Sequence, residues 1–416
     1  MAGACRVSFV VTTRNDGFGG GMLDRLRAFI EVILTLGERH GLDGEIIVVE
    51  WNPPDGPRLA DDLELRVTSD RIPVRFIEVP EEIHLDLRNS DQIPLYQMIA
   101  KNVGIRRARG EYVIATNQDI LFSDSLIEFL AKGELDPDAM YRIDRADIPA
   151  ELPEAPIDEL MAWCESNLIR IHKSYGSFDL SGPGRKAQSP LGLAWRGVTR
   201  MLRPPTVKGR SAADLARGAV HRIGGALRVT GTGLRHIGER MRAGSVHTNG
   251  CGDFTMLSRD RWRAARGYAE IPLWSMHLDS LLCWQAVAEG AHQVLLQAPH
   301  RTYHIEHGHS WVVMDWRDKL ETFVKKPWLD ISVVNEVRGM LLAQTQVEPL
   351  NADAWGYGDE SLTETEIRGG AVRSVATRIP KSDPLSRRVA SVEEPKAGVR
   401  AVTPRSVESP NHSNLN

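Results

Sequence analysis

Long apolar runs are missing from this 416-residue chain. Nothing in it approaches the roughly eighteen consecutive apolar residues that a membrane-spanning helix needs. Cysteine is scarce as well. Cys5, Cys164, Cys251 and Cys283 lie far apart with no Cys-x-x-Cys pair, so neither a disulfide framework nor a thiolate zinc site is expected. The strand-like run Arg6 to Thr13 begins at once, without the basic start and apolar stretch of a signal peptide, and a cytoplasmic location is expected. Aromatic residues are absent from Thr365 to Asn416, a stretch that contains five prolines. Such a segment buries too little apolar surface to offset its ordering entropy, so 365–416 is expected to be a disordered tail. The whole chain, 42% hydrophobic and 25% charged, still has ample material for a globular core.

The formal net charge of −4 conceals an asymmetry. Residues 182–243 carry 13 Lys and Arg against two acids, Asp214 and Glu239. A basic block therefore sits in an acidic body.

The first 130 residues alternate in the manner of a parallel α/β domain. Val7 to Val11 is β-rich and exits into Thr12-Thr13-Arg14-Asn15-Asp16. The glycine cluster Gly17 to Gly21 separates it from a helical pattern at Leu23, Leu26, Phe29, Ile30, Ile33 and Leu34. Glu45 to Glu50 and Val74 to Val79 read as further strands, Pro94 to Arg107 as a helix, and Tyr112 to Thr116 as a fourth strand running into Asn117-Gln118-Asp119. Another helix is expected around Ser123 to Leu130. In an open sheet of this kind the ligand edge lies at the strand C-termini, where these polar exits would converge. Asp136 to about Gly182 reads poorly, with short helices expected. A second structured section runs from about His247 to Leu362.

Asn102, Gly104, Ala108, Gly110 and Tyr112 form the pattern N-x-G-x-x-x-A-x-G-x-Y directly before the strand that ends at Asp119. This segment resembles the nucleotide-sugar-dependent glycosyltransferases of the GT-A fold, particularly the inverting family 2 type. The resemblance covers Arg6 to about Leu130 and His247 to about Ser310. It implies a Rossmann-like α/β fold, a mixed sheet flanked by helices, over 1–362, interrupted by the insertion at 182–243. It also implies transfer of a sugar from a nucleoside diphosphate sugar to a hydroxyl acceptor, with Mn²⁺ or Mg²⁺ on the diphosphate. The physical need is plain: the leaving diphosphate gains negative charge as it departs, and a cation held by carboxylate oxygen answers it.

Carried over residue by residue, the resemblance makes Asp119 the metal-binding acid, with His307 or His304 completing the metal site. Position 117, an acid in the family motif, is Asn here and supplies no charge. Thr12, Thr13, Arg14, Glu50, Lys101 and Asn117 are expected on the nucleotide sugar, Arg14 and Lys101 through phosphate. Gly17 to Gly21 allow close backbone approach to the diphosphate, or form a flexible turn. Asp279, before the apolar helix Leu281, Leu282, Trp284 and Val287, matches the general base that takes the acceptor hydroxyl proton. Asp253 is the alternative base or an acceptor-binding residue.

The basic block admits three readings: a peripheral contact with an anionic membrane, suiting a lipid-linked or envelope acceptor; a solvated insertion; or nucleic-acid binding. Trp195 is its only aromatic, which disfavours the last. A non-catalytic binding protein of the same fold is the rival to the enzyme, and Asn117 is the feature that favours it. A nucleotidyltransferase is disfavoured, because no Lys follows the glycine cluster.

Overall fold

Val7–Thr13 (β1), Gly44–Trp51 (β2) and Tyr112–Thr116 (β4) are buried at every position. Strands covered on both faces read as continuous apolar runs, which is why their sequences do not alternate. In the computed structural model β4, β1, β2 and Val74–Val79 (β3) lie side by side and parallel, with Val7 opposite both Gly44 and Tyr112. Met22–His40 (α1) covers one face of these strands, and Gln97–Arg107 (α4) covers the other. Two short helices, Leu59–Asp62 (α2) and Glu81–Leu85 (α3), lie between β2 and α4 in the chain. The structure describes residues 5–17, 19–174, 176–180, 246–307, 325–344 and 347–377, all in one unit spanning Met1–Ile379.

The motif residues that carried the resemblance prove to be packing residues. Gly104 lies where α4 meets the sheet, and a Cβ there would stand 2.5 Å from Val10 Cγ1. Asn102 Nδ2 donates to Tyr268 O at 2.8 Å, and its Oδ1 accepts the Tyr268 N–H at 2.8 Å. The motif sets how closely α4 and the later chain approach β4.

After β4 the chain turns through Asn117–Asp119 into Ile120–Phe122 (β5), then Asp124–Lys132 (α5), whose first turn Ser123 caps. The region expected to hold short helices contains one, Ile157–Ser166 (α6). Its other elements among the described residues are strands: Ala139–Ile143 (β6), Arg145–Ile148 (β7), Arg170–Lys173 (β8) and Gly176–Asp179 (β9). Arg142 hides β6 from a hydropathy reading, because its buried guanidinium is satisfied by the His247 and Asn249 carbonyls, about a hundred residues on. Phe254–Ser258 (β10), Arg259–Ala265 (α7), Leu278–Ala288 (α8), His292–Leu296 (β11), Thr302–Ile305 (β12) and Ile331–Ala343 (α9) follow.

The tail expectation fails at its start. Leu362–Arg368 (β13) pairs antiparallel with β3 and returns through Gly369-Gly370 into Ala371–Thr377 (β14). Both glycines have positive φ, 52° and 81°, as a two-residue hairpin loop requires. Cross-strand pairing and the buried Glu364–Arg75 ion pair order this segment without aromatic burial. The remainder of the expected tail and the insertion at 182–243 lie outside the described residues.

The principal sheet is mixed, in the order β11-β6-β10-β4-β1-β2-β3-β13-β14, and a second sheet runs β5-β12-β7-β8-β9. The fold is thus a mixed α/β one, as expected. Among the described residues no helix is long and apolar enough to cross a membrane.

Candidate functional site

The two sheets meet where β4 passes into β5. Strand β12 runs antiparallel to β5 with His304 opposite Ile120, and Ile305 N donates to Asp119 O at 2.9 Å. This register sets two imidazoles against one carboxylate. Asp119 Oδ2 lies 3.2 Å from His307 Nε2 and 3.6 Å from His304 Nε2. Asp119 Oδ1 is buried with no hydrogen-bond partner. Donors that share one cation at about 2.1 Å stand roughly 3 to 3.5 Å apart, so the three side chains fit a metal ion with little movement. Two imidazoles and a carboxylate form a set that suits a borderline transition-metal cation better than the harder Mg²⁺.

Burial opposes charge on Asp119, but His304 and His307 outweigh it and hold the carboxyl well below the usual carboxylate range. Burial likewise works against a proton on His304, yet Asp119 pushes the imidazole up to about 9. Behind His304, Asp147 is fully buried and lies 3.3 Å from its Nδ1. Arg145 at 2.9 Å, Arg170 at 3.0 Å and His172 at 2.8 Å already compensate Asp147. In the neighbouring cluster of Asp147, His304 and Glu306, these ion pairs compete with a cation for the Asp147 carboxylate.

A cavity of about 360 Å³ opens beside Asp119, lined by Thr12, Thr13, Arg14, Asn117, Asp253 and His307 among others. Seven of the ten residues expected in the site thus converge on one space. Arg14 leaves β1 with its Nε donating to Asn52 O at 2.8 Å and a guanidinium nitrogen 3.4 Å from Asp16. Asp253, 7% exposed, is held from both sides: Asn117 Nδ2 donates to Oδ1 at 2.7 Å and Arg145 Nη1 to Oδ2 at 3.0 Å.

Three expected residues do not line this cavity. Lys101 is buried on α4, its Nζ donating to Asn117 Oδ1 at 2.8 Å and Gly252 O at 2.7 Å. Burial lowers its ammonium to about 8, against the pull of Asp253, Asp279 and Asp119. Such a lysine braces loops and does not reach out to phosphate. Glu50 sits opposite Thr13 in the sheet but turns inward to accept the Leu59 N–H at 3.2 Å. Asp279 stands in the first turn of α8, accepting Ser280 N–H at 2.8 Å. Its Oδ2 is 3.2 Å from where a Cβ on Gly252 would lie, behind the loop that carries Asp253.

Sequence reading missed Arg25, Arg145, Trp274 and Lys326, which also line the cavity. Lys326 Nζ lies 5.6 Å from the centre of the Trp274 ring. Arg14 pairs with Asp16 and Arg145 with Asp253, while Arg25 and Lys326 bring further positive charge to the lining beside Asp119. With a divalent cation added, these basic residues would outweigh Asp16, Asp119 and Asp253 in the lining, a charge balance that suits an anion.

A larger cavity of about 920 Å³ adjoins the first and shares Arg25 and His307 with it. Gly19, Gly20 and Gly21 line this larger space and not the smaller one. A Cβ on Gly19 would stand 3.1 Å from Arg25 and 3.2 Å from His307, the two residues common to both linings.

No family model matches the chain, and no curated protein matches it. Among solved structures it is similar to the catalytic domain of Drosophila beta1,4-galactosyltransferase 7, solved in complex with xylobiose. Identity is 9% and the TM-score 0.35, over 90% of this chain and 93% of that one. A likeness of that degree carries no functional argument, and the reading rests on the site's own geometry.

Proposed function

We propose that the chain is a metal-dependent glycosyltransferase, moving a sugar from a nucleoside diphosphate sugar to a hydroxyl acceptor with inversion. One observation carries this reading: Asp119, His304 and His307 stand within metal-binding distance at the edge of a cavity lined by several cationic side chains. A divalent cation held by those three, taken here as Mn²⁺, would supply charge neutralisation to the departing diphosphate.

Arg14, Arg25 and Lys326 add fixed positive charge for the phosphates, and Thr12 and Thr13 border the same space. Asp253 takes the acceptor hydroxyl proton in preference to Asp279, because it lines the cavity and Asp279 does not. Arg145 and Asn117 fix its two oxygens, so the carboxylate is oriented before substrate arrives. Lys101 and Glu50 act behind the cavity wall, supporting loops. The acceptor is a hydroxyl compound such as a lipid-linked or envelope glycan, with the insertion at 182–243 as a contact to an anionic membrane.

Titration calorimetry with UDP and GDP, with and without Mn²⁺, tests the proposal. Metal-dependent binding of one nucleotide is expected, weakened about 100-fold or more by Asp119→Asn. Asp253→Asn should leave that binding intact while abolishing transfer. If neither nucleotide binds in the presence of metal, the alternative stands: a protein of this fold without transferase chemistry, the reading that Asn117 favours.

A further inference from the structure

Asn117 occupies the place where the family motif carries an acid, and by charge alone it reads as a lost metal ligand. Its surroundings say otherwise. The amide oxygen has two lone pairs, and two donors occupy them, Lys101 Nζ at 2.8 Å and Gln97 Nε2 at 2.8 Å. The amide nitrogen donates to Asp253 Oδ1 at 2.7 Å. An ammonium cannot accept and a carboxylate cannot donate, so the amide has one possible orientation. Lys101 is itself locked by the Gly252 carbonyl at 2.7 Å, in the loop that carries Asp253.

We propose that Asn117 is a positioning residue, and that Asn is required at this place. Its amide joins α4, the exit of β4 and the loop before β10, and sets where Asp253 stands relative to Asp119. An aspartate would keep its bonds to Lys101 and Gln97 but would set a second oxygen against Asp253 Oδ1. Two carboxylates in contact repel unless they share a proton. Restoring the motif's acid therefore displaces Asp253: one oxygen stays on Lys101 and Gln97, and the other meets Asp253 Oδ1 instead of serving the metal. The role assigned to Asp253 rests on the proposed transferase reading; the bonding pattern does not.

The test is a double-mutant cycle over Asn117→Asp and Asp253→Asn, read by melting temperature, Mn²⁺ affinity and the rate of nucleotide-sugar turnover. Asn117→Asp is expected to melt lower than wild type and to bind Mn²⁺ within about threefold of it. Turnover should fall at least about tenfold with KM little changed, which a general loss of structure would not give. In the double variant the two side chains exchange roles, the introduced carboxylate accepting from the introduced amide. That variant should melt higher than the sum of the single effects predicts. Tenfold tighter Mn²⁺ binding by Asn117→Asp, turnover at or above wild type, or an additive cycle would each overturn the inference. Failure of the wild type to bind Mn²⁺ would instead sink the transferase reading, and the melting cycle would still decide this one.

Discussion

Glu50 closes β2 with one carboxyl oxygen on the Leu59 N–H and the other buried without a hydrogen-bond partner. Burial, reinforced by Glu78, raises its pKa to about 7. The folded protein therefore takes up this proton at higher pH than the unfolded chain does. Above pH 7 the charged form costs stability, and the cost fades as pH falls from about 7 toward 4.5. Glu50→Gln should raise the melting temperature by about 2–4 °C at pH 8 and by much less at pH 5. An equal effect at both pH values would show that the carboxyl is not strained by burial. Glu50 also marks where residue-level reading stops. Its place at a strand end was legible, but the direction of its side chain depends on α2, which no local pattern announced. Asp119 and His307 were singled out through the family resemblance, which places a metal-binding acid after the fourth strand and a histidine later in the chain. Arg145 was not, since its meaning comes from Asp253, 108 positions away.

At the scale of elements, the clearest strands were those buried on both faces, and the hardest were short ones interrupted by a charge. The hairpin β13–β14 was lost to averaging: composition over the last fifty residues hid Gly369-Gly370 standing between two β-rich runs. Beyond its backbone ladder, β13 is held by a buried ion pair. Arg75 on β3 is buried between Glu45 Oε2 at 2.7 Å and Glu364 Oε1 at 2.6 Å. Burial disfavours its charge, but the two carboxylates more than restore it and raise its pKa. Removing one partner leaves a guanidinium in the interior half compensated, so Glu364→Ala should cost about 3–5 kcal/mol of unfolding free energy in urea. A loss below about 1 kcal/mol would mean that β13 is dispensable to the sheet. The domain boundary read at Leu362 would cut the chain just before this contact.

For the molecule as a whole, the sequence pointed to a cleft at the ends of β1 and β4, and that cleft exists. It gave no sign of the second sheet. Pairing of β5 with β12 joins residues about 180 positions apart, and only that register sets His304 and His307 beside Asp119. The proposed metal ligands thus come from the junction of two sheets, and an ion there would tie them together. Mn²⁺ at 100 times its Kd should stabilise the fold by about 2.7 kcal/mol, seen as a rise in melting temperature that Asp119→Asn removes. A melting temperature indifferent to Mn²⁺ would argue against a preformed site. Arg25 and His307 are common to the linings of both cavities. They form a party wall between two rooms. A substitution at either one remodels both spaces at once, so a clean probe of a single compartment has to be sought elsewhere in its lining.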